Sequence, residues 1–139
     1  MSFLLDTNVV SEWVKPLPNA GLTNWLAEVD EDSTFLSAIT ISELRYGIER
    51  LTIGKRRRQL DEWLTNDLLL RFEGRVLPVD TAVADTCGRV VARSEKLGRP
   101  VGAMDALIAA TAQVHQLTLV THDTSDFAHV LASVLNPWT

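Results

Sequence analysis

Short apolar runs alternate with longer amphipathic segments along this chain. The apolar runs are typical of buried parallel strands, and they lie at residues 2–5, 33–38, 75–79, 117–121 and 133–135. Apolar residues at helical spacing predict helices at residues 7–14, 20–29, 55–72, 81–97 and 103–115, with a further helix that Thr40 or Ser42 opens. Strands that alternate with helices predict an α/β fold, in which helices cover both faces of a parallel sheet.

The size of the chain fits one domain, which we expect to span residues 1–139. Globular domains have about 100–200 residues, and the 46% apolar content is enough to build a core. The single cysteine, Cys87, excludes an intramolecular disulfide and favours a reducing compartment. No apolar run approaches the ~18 residues of a membrane span, and the N-terminus lacks the basic segment of a signal peptide. We therefore expect a cytoplasmic protein with no membrane contact.

Four acidic residues occur close to predicted strand ends or helix starts. Asp6 follows the first strand, and Asp123 follows the strand at 117–121. We place Glu43 in the first turn of the helix after the strand at 33–38, and Asp105 in the first turn of the helix at 103–115. Ligands of open parallel sheets bind beyond the carboxyl ends of the strands. The four side chains, although up to 117 positions apart, are therefore expected at one edge of the sheet.

Carboxylates that converge in this way favour a divalent cation. Like charges at ~4 Å repel by several kcal/mol at intermediate dielectric, and a hard cation removes that cost. Mg²⁺ binds oxygen ligands, lowers the pKa of a bound water and stabilises the charge that develops in phosphodiester displacement. The chain has no cysteine or histidine set with zinc spacing. Each acid taken singly also has an ordinary structural explanation, as a cap, a first-turn acid or a turn residue. The joint placement of the four is what predicts a metal site.

Charge is unevenly distributed over the sequence, although the net charge is only −5. Residues 1–44 carry −6 and residues 100–139 carry −3, whereas residues 45–99 carry +4 and hold twelve of the thirteen bases. The basic middle is either a solvated helix surface or a surface able to hold a polyanion beside an acidic site. Charge alone does not choose between these two interpretations.

Four ordered motifs, together with the last residues, make the sequence resemble the PIN-domain ribonuclease family. Within that family it is similar to the VapC/FitB-like toxins of bacterial type II toxin–antitoxin systems. The matching segments are residues 4–8 around the first Asp, 42–47 around the Glu, 105–112 at the third acid, 117–121 with Asp123 ahead of Asp126 and Phe127, and the ending at 136–138. The resemblance covers essentially the whole chain in order.

The resemblance implies a three-layer α/β/α fold with a short parallel central sheet. It also implies a Mg²⁺- or Mn²⁺-dependent endoribonuclease that hydrolyses RNA phosphodiesters, forms a homodimer and is inhibited by a cognate VapB/FitA-like antitoxin. By the same resemblance, Asp6, Glu43, Asp105 and Asp123 bind metal and activate water, with Asp6 and Asp105 as the central ligands. Transfer RNA is a common substrate in the family, although ribosomal RNA and mRNA are also used.

Polar residues beside the four acids are assigned supporting roles. Thr7, Asn8 and Thr121 are expected to orient the carboxylates through hydrogen bonds. Asp126 either assists the site or anchors its own turn with Phe127.

Basic residues in the middle of the chain are the candidates for RNA contact. Lys55, Arg56, Arg57 and Arg58 are expected to contact the RNA backbone, and a solvated helix start is an equal alternative for this run. Arg45 is expected nearer the site, where it contacts RNA or lies under the tail of an antitoxin.

Two other families with a similar sheet are disfavoured by particular positions. A phosphatase of the haloacid dehalogenase type needs a second acid two residues after Asp6, where this chain has Asn8. That family and the receiver domains both need a lysine late in the chain, and none follows Lys96. The alternative from a different functional class is a non-catalytic PIN-like binding or regulatory module, which usually lacks one of the acids.

Overall fold

A five-stranded parallel sheet in the order β3-β2-β1-β4-β5 forms the centre of the protein, in a computed structural model that describes residues 1–139. Its strands are β1 (Phe3–Leu5), β2 (Thr34–Ser37), β3 (Val76–Leu77), β4 (Thr118–Val120) and β5 (Val134–Leu135). β1 is the central strand and pairs in parallel with both β2 and β4. The predicted α/β class and all five predicted strands are confirmed, with each strand shorter than its apolar run.

Helices cover both faces of this sheet. They are α1 (Thr7–Trp13), α2 (Ala20–Glu28), α3 (Ala38–Glu49), α4 (Lys55–Glu62), α5 (Leu69–Arg71), α6 (Thr81–Lys96), α7 (Ala103–Val114) and α8 (Thr124–Phe127). A 3₁₀ turn at Glu31–Ser33 precedes β2, and a π-helical segment at Trp63–Leu68 joins α4 to α5. No helix is long and apolar enough to cross a membrane.

Two apolar cores lie on opposite faces of the sheet, because successive side chains of a strand point to opposite sides. Leu5 and Val120 belong to the core beneath α1, α3 and the helical residues 55–71. Leu4 and Leu119, one position earlier in the same strands, belong to the core beneath α6 and α7. The three-layer α/β/α arrangement is therefore confirmed.

The third helix begins earlier than the sequence pattern predicts. Ser37 ends β2 in extended conformation, and its hydroxyl accepts a hydrogen bond from the backbone N–H of Ile39 at 3.0 Å. This cap starts α3 at Ala38, so the expected start at Thr40 or Ser42 is wrong. Glu43 consequently lies in the second turn of α3 and not in its first.

Two further helical features differ from the prediction. The helix expected over residues 55–72 is interrupted by the π-helical segment, although Leu64 and Leu68 are buried as predicted. α8 was not predicted, because four residues are too few to show helical periodicity. Its Phe127 is buried in the core beneath α7.

The last residues, 136–139, lie against the start of α2, and we call them the C-terminal strap. Asn19 Oδ1 accepts hydrogen bonds from the backbone N–H groups of Leu22 and Thr139, at 3.2 and 3.1 Å. Asn19 Nδ2 donates to the Thr139 carbonyl at 3.0 Å, and the Gly21 N–H donates to Thr139 Oγ1 at 3.2 Å. A Cβ at Gly21 would lie 2.5 Å from the Pro137 carbonyl oxygen, so glycine lets the strap approach the helix.

Replacing Gly21 by alanine is expected to destabilise the protein. The new Cβ meets backbone atoms of the strap, and overpacking of this kind costs about 1–3 kcal/mol. Gly47→Ala is the matched control, because Gly47 lies in α3 with no heavy atom near the site of a Cβ. The control should be neutral or stabilised by up to about 1 kcal/mol through helix propensity. Urea unfolding measures both variants, and equal stabilities would show that the strap does not rest on α2.

Candidate active site

A polar cleft of about 550 Å³ opens at the carboxyl edge of the sheet. All five strands are parallel, so their carboxyl ends meet there, on either side of the central strand β1. The cleft contains all four acids that the sequence analysis singled out, namely Asp6, Glu43, Asp105 and Asp123. Its other lining residues are Thr7, Asn8, Ser11, Glu12, Lys15, His122 and Trp138.

Asp6 lies deepest in the cleft, with 6% of its surface exposed. It caps α1, where its Oδ1 accepts from the Thr7 N–H at 2.8 Å, and its Oδ2 accepts from Thr121 Oγ1 at 2.8 Å. Burial raises the pKa of Asp6 to about 6, against the opposing effect of these two hydrogen bonds. The negative charges of Asp105 and Glu43 add to the rise in this pKa. A cation near Asp6 would therefore favour its ionised form.

Glu43 is connected to Asp6 through a threonine. The Thr7 hydroxyl donates to Glu43 Oε1 at 2.6 Å, while the Thr7 backbone N–H binds Asp6. Thr7 Oγ1 also lies 3.1 Å from the hydroxyl of buried Thr40. Thr7 thus fixes the distance between the end of β1 and the second turn of α3.

Asp105 and Asp123 also line the cleft, and both are more exposed than Asp6. Asp105 lies in the first turn of α7, and partial burial raises its pKa, with further contributions from the charges of Glu43, Asp126 and Asp123. Asp123 is exposed and its Oδ2 accepts from Asn8 Nδ2 at 3.1 Å. Its backbone N–H donates to Thr121 Oγ1 at 3.0 Å.

Asn8 and Thr121 connect Asp6, directly after β1, with Asp123 in the loop after β4. Asn8 Nδ2 lies 3.2 Å from Thr121 Oγ1, and Asn8 Oδ1 accepts from the His122 N–H at 3.3 Å. Thr121 in turn donates to Asp6. Thr7, Asn8 and Thr121 therefore all contact carboxylates of the cleft, which is the position that the sequence analysis expected for them.

The donor set of the cleft fits Mg²⁺ or Mn²⁺. No three acidic, histidine or cysteine side chains lie close enough to ligate one ion jointly. Mg²⁺ does not need three, since it keeps several waters and uses one or two carboxylates. Asp6 and Asp105 both line the cleft, and carboxylate oxygens are the ligand type that hard cations prefer.

Two other residues with expected roles lie outside the cleft. Asp126 lines a separate hollow with Arg99 and His129, and Asp105 borders both spaces. Arg45, which was expected nearer the site than residues 55–58, does not line the cleft: it lines a different cavity of about 300 Å³ and pairs with Asp61 at 2.8 Å. Two residues along a helix correspond to a rotation of about 200°, which turns Arg45 away from Glu43.

The basic run at the start of α4 also lies away from the carboxylates. Arg57 and Arg58 line the same cavity as Arg45, and Arg57 pairs with Glu49. Lys55, Arg56 and Arg58 are exposed. We call this cavity, together with the adjacent exposed Lys55 and Arg56, the basic cavity.

Comparison with known proteins places the chain in a family. A family model described as the PIN domain matches residues 3–131. This chain belongs to the PIN domain family. Toxin FitB of Neisseria gonorrhoeae is 42% identical over 97% of both chains. VapC ribonuclease Y4jK of Sinorhizobium fredii is 36% identical over 97% of this chain and 96% of the relative. A tRNA(fMet)-specific endonuclease VapC of Shigella flexneri is 28% identical over 100% and 99% of the two chains.

Solved structures agree with this family membership. The crystal structure of FitAcB from Neisseria gonorrhoeae has a chain that is 41% identical, with a TM-score of 0.92 over 98% of both chains. A toxin–antitoxin complex from Klebsiella pneumoniae has a chain that is 26% identical, with a TM-score of 0.72 over 99% of this chain and 98% of the other. Both matches extend over almost the whole PIN domain.

Five residues that line the cleft of this PIN domain were missed in the sequence. Ser11 and Glu12 follow Asn8 at intervals of three and four, so they share one face of α1, and Lys15 follows just beyond the end of that helix. That polar periodicity was available as a signal. His122 and Trp138 enter the cleft through the contact of the C-terminal strap with the loop after β4, which no local pattern encodes.

The free energy of unfolding of the metal-free PIN domain should depend on pH, in part because Asp6 has a raised pKa in the folded state. The pKa of Asp6 is about 6 in the folded state against 3.8 in an unstructured chain, so the folded state binds the proton more tightly. The stabilising contribution is complete below about pH 4 and is lost as the pH rises to about 6. Asp6→Asn should remove this slope.

Urea unfolding in EDTA between pH 4 and pH 8 measures the effect as the difference between wild type and variant. Asp32→Asn changes an exposed carboxylate far from the cleft and should keep the wild-type slope. An unchanged slope in Asp6→Asn would contradict the assignment of the raised pKa to Asp6.

Proposed function

We propose that this PIN domain is the RNA-cleaving toxin of a VapBC-type toxin–antitoxin system, and that its activity depends on Mg²⁺ or Mn²⁺. The single observation that carries the proposal is the cleft in which Asp6, Glu43, Asp105 and Asp123 converge. The relatives support the reaction class, because two of them are named ribonuclease or endonuclease. Transfer RNA is a substrate to test first, since the Shigella flexneri relative is named for it.

Asp6 and Asp105 would hold the divalent cation, and Glu43 and Asp123 would contribute through water or at a second ion. When bound, the ion supplies a water of lowered pKa and neutralises charge on the phosphate. Without it, the carboxylates repel an RNA strand, because like charges dominate the cleft. Metal is therefore expected to support substrate binding as well as the chemical step.

The residues of the chain position this reaction. Thr7 and Thr121 each hold one oxygen of Asp6, which fixes the orientation of its carboxylate. Glu43, whose Oε1 accepts a hydrogen bond from the Thr7 hydroxyl, would accept the proton of the attacking water. Lys15 is the one cationic side chain that lines the cleft, and its ammonium is suited to a phosphate oxygen. In-line attack of water on phosphorus breaks the bond to the 3′ oxygen and leaves 5′-phosphate and 3′-hydroxyl ends.

The basic cavity is proposed as part of the surface that a VapB/FitA-like antitoxin covers. Arg45, Arg57 and Arg58 line it together with Ile53, whose surface is 88% exposed. Tyr46, on the neighbouring α3, is 64% exposed. Exposed aromatic and aliphatic side chains beside arginine are typical of protein interfaces. We also propose that the toxin forms a homodimer.

Purified protein freed of antitoxin should cleave total cellular RNA with Mg²⁺ or Mn²⁺ and not with EDTA. Asp6→Asn and Asp105→Asn should each lower the rate by about 100-fold or more, because each removes a charged oxygen ligand. Asp126→Asn, which changes a carboxylate outside the cleft, should keep most of the activity. Gel analysis and sequencing of 5′-phosphate ends measure the outcome.

Cleavage that persists in EDTA or in both aspartate variants would indicate a contaminant or a different chemistry. If folded wild-type protein cleaves no RNA with either metal, the non-catalytic PIN-like module is the better account.

Ile53→Asp should weaken inhibition by the antitoxin about tenfold or more, since a charge then replaces an exposed apolar contact. RNA cleavage by the free toxin should stay within about twofold, because Ile53 lies outside the carboxylate cleft. Leu17→Asp is the matched control at a site that is 91% exposed and outside the basic cavity. Titration of cleavage with antitoxin measures both quantities. Lower cleavage with unchanged inhibition would instead assign the basic cavity to RNA.

A further inference from the structure

Trp138 is the only hydrophobic side chain that lines the carboxylate cleft. Part of the side chain packs against the core beneath α1 and α3, so the ring is supported from behind. The remaining lining residues are polar or charged, and four of the titratable ones are the acids assigned to the reaction. The reaction proposed above gives no role to this aromatic ring.

The C-terminal strap holds Trp138 in position from both sides. The backbone N–H of Trp138 donates to Asn136 Oδ1 at 3.0 Å, and Asn136 Nδ2 donates to the His122 backbone carbonyl at 3.4 Å. On the other side, Thr139 exchanges hydrogen bonds with Asn19 in both directions. These hydrogen bonds fix the backbone around Trp138, whose indole ring lines the cleft.

His122 extends this aromatic surface toward the carboxylates. Its ring centroid lies 4.8 Å from that of Trp138, with 40° between the planes. The His122 side chain is 55% exposed, and its backbone N–H donates to Asn8 Oδ1. Asn8 also donates to Asp123, so one side chain links the aromatic pair to the acidic group.

In a cleft dominated by carboxylates, an attraction for RNA that does not depend on charge would add to those of the cation and Lys15. Base stacking on an aromatic side chain provides it, because every base has a flat π face. We propose that Trp138, with His122 beside it, stacks on an RNA base next to the phosphate that is cleaved. This inference rests on the proposed function and assigns Trp138 as a residue that positions the substrate.

Binding of two fluorescein-labelled 12-nucleotide strands tests this inference. One strand is oligouridine, and the other has the same ribose-phosphate backbone without bases. Fluorescence anisotropy is measured in Ca²⁺, which is also a hard cation with oxygen ligands, and gels check that the strands stay intact. Wild type should prefer oligouridine by about fivefold to a hundredfold, which is the range expected for stacking of one base.

Trp138→Leu should abolish this preference and leave the affinity for the abasic strand within about twofold. Trp138→Phe should keep most of the preference, and His122→Ala, which changes an exposed side chain, should reduce it. Trp63→Leu is the matched control, because that ring lines a different cavity. Circular dichroism of each variant verifies that it is folded.

Two results would overturn the inference. A wild type that binds both strands equally has no stacking contribution, and a Trp138→Leu variant that loses affinity for both strands equally has lost the strap instead. Cleavage of RNA by the same wild-type preparation in Mg²⁺ separates this failure from failure of the proposed function. If the protein cleaves RNA but binds both strands equally, only the inference fails, whereas both fail if it neither binds nor cleaves.

Discussion

The burial of the Asp6 carboxylate beside other acidic side chains is the constraint on which the rest of the site depends. Asp6 directly follows the central strand β1, and burial and the charges of Asp105 and Glu43 raise its pKa. Two hydrogen bonds, from Thr7 and Thr121, oppose that rise but do not cancel it. A negative charge at Asp6 is therefore unfavourable in the folded chain, and the divalent cation that we propose would offset it.

The parallel sheet brings these side chains together through its topology, with few local contacts needed. Because every strand ends at the same edge, residues from distant parts of the sequence arrive there together. Thr7 and Asn8, directly after Asp6, then reach across to Glu43 on one side and Asp123 on the other. The first turn of α1 therefore also holds the acidic side chains on both sides of the cleft in position.

Much of this could be predicted from the sequence, because the signals are periodic or stand at strand ends. Asp6 and Asp123 follow apolar runs directly, so their edge position follows from the fold class. Glu43 was placed in the wrong turn, since two possible caps inside α3 obscured the cap at Ser37. Trp138 gave no signal as a cleft residue, because its position depends on how the C-terminal strap rests on Asn19 and Gly21. Contacts between chain ends are set by tertiary packing and have no local pattern.

Anomalous diffraction from crystals soaked in Mn²⁺ tests most directly whether the cleft exists to hold a cation. We expect an anomalous peak in contact with the carboxylates of Asp6 and Asp105, and loss of that peak in Asp105→Asn crystals. Mn²⁺ bound elsewhere on the molecule with none at these two carboxylates would contradict this expectation. So would a peak in the cleft that the Asp105→Asn substitution leaves unchanged.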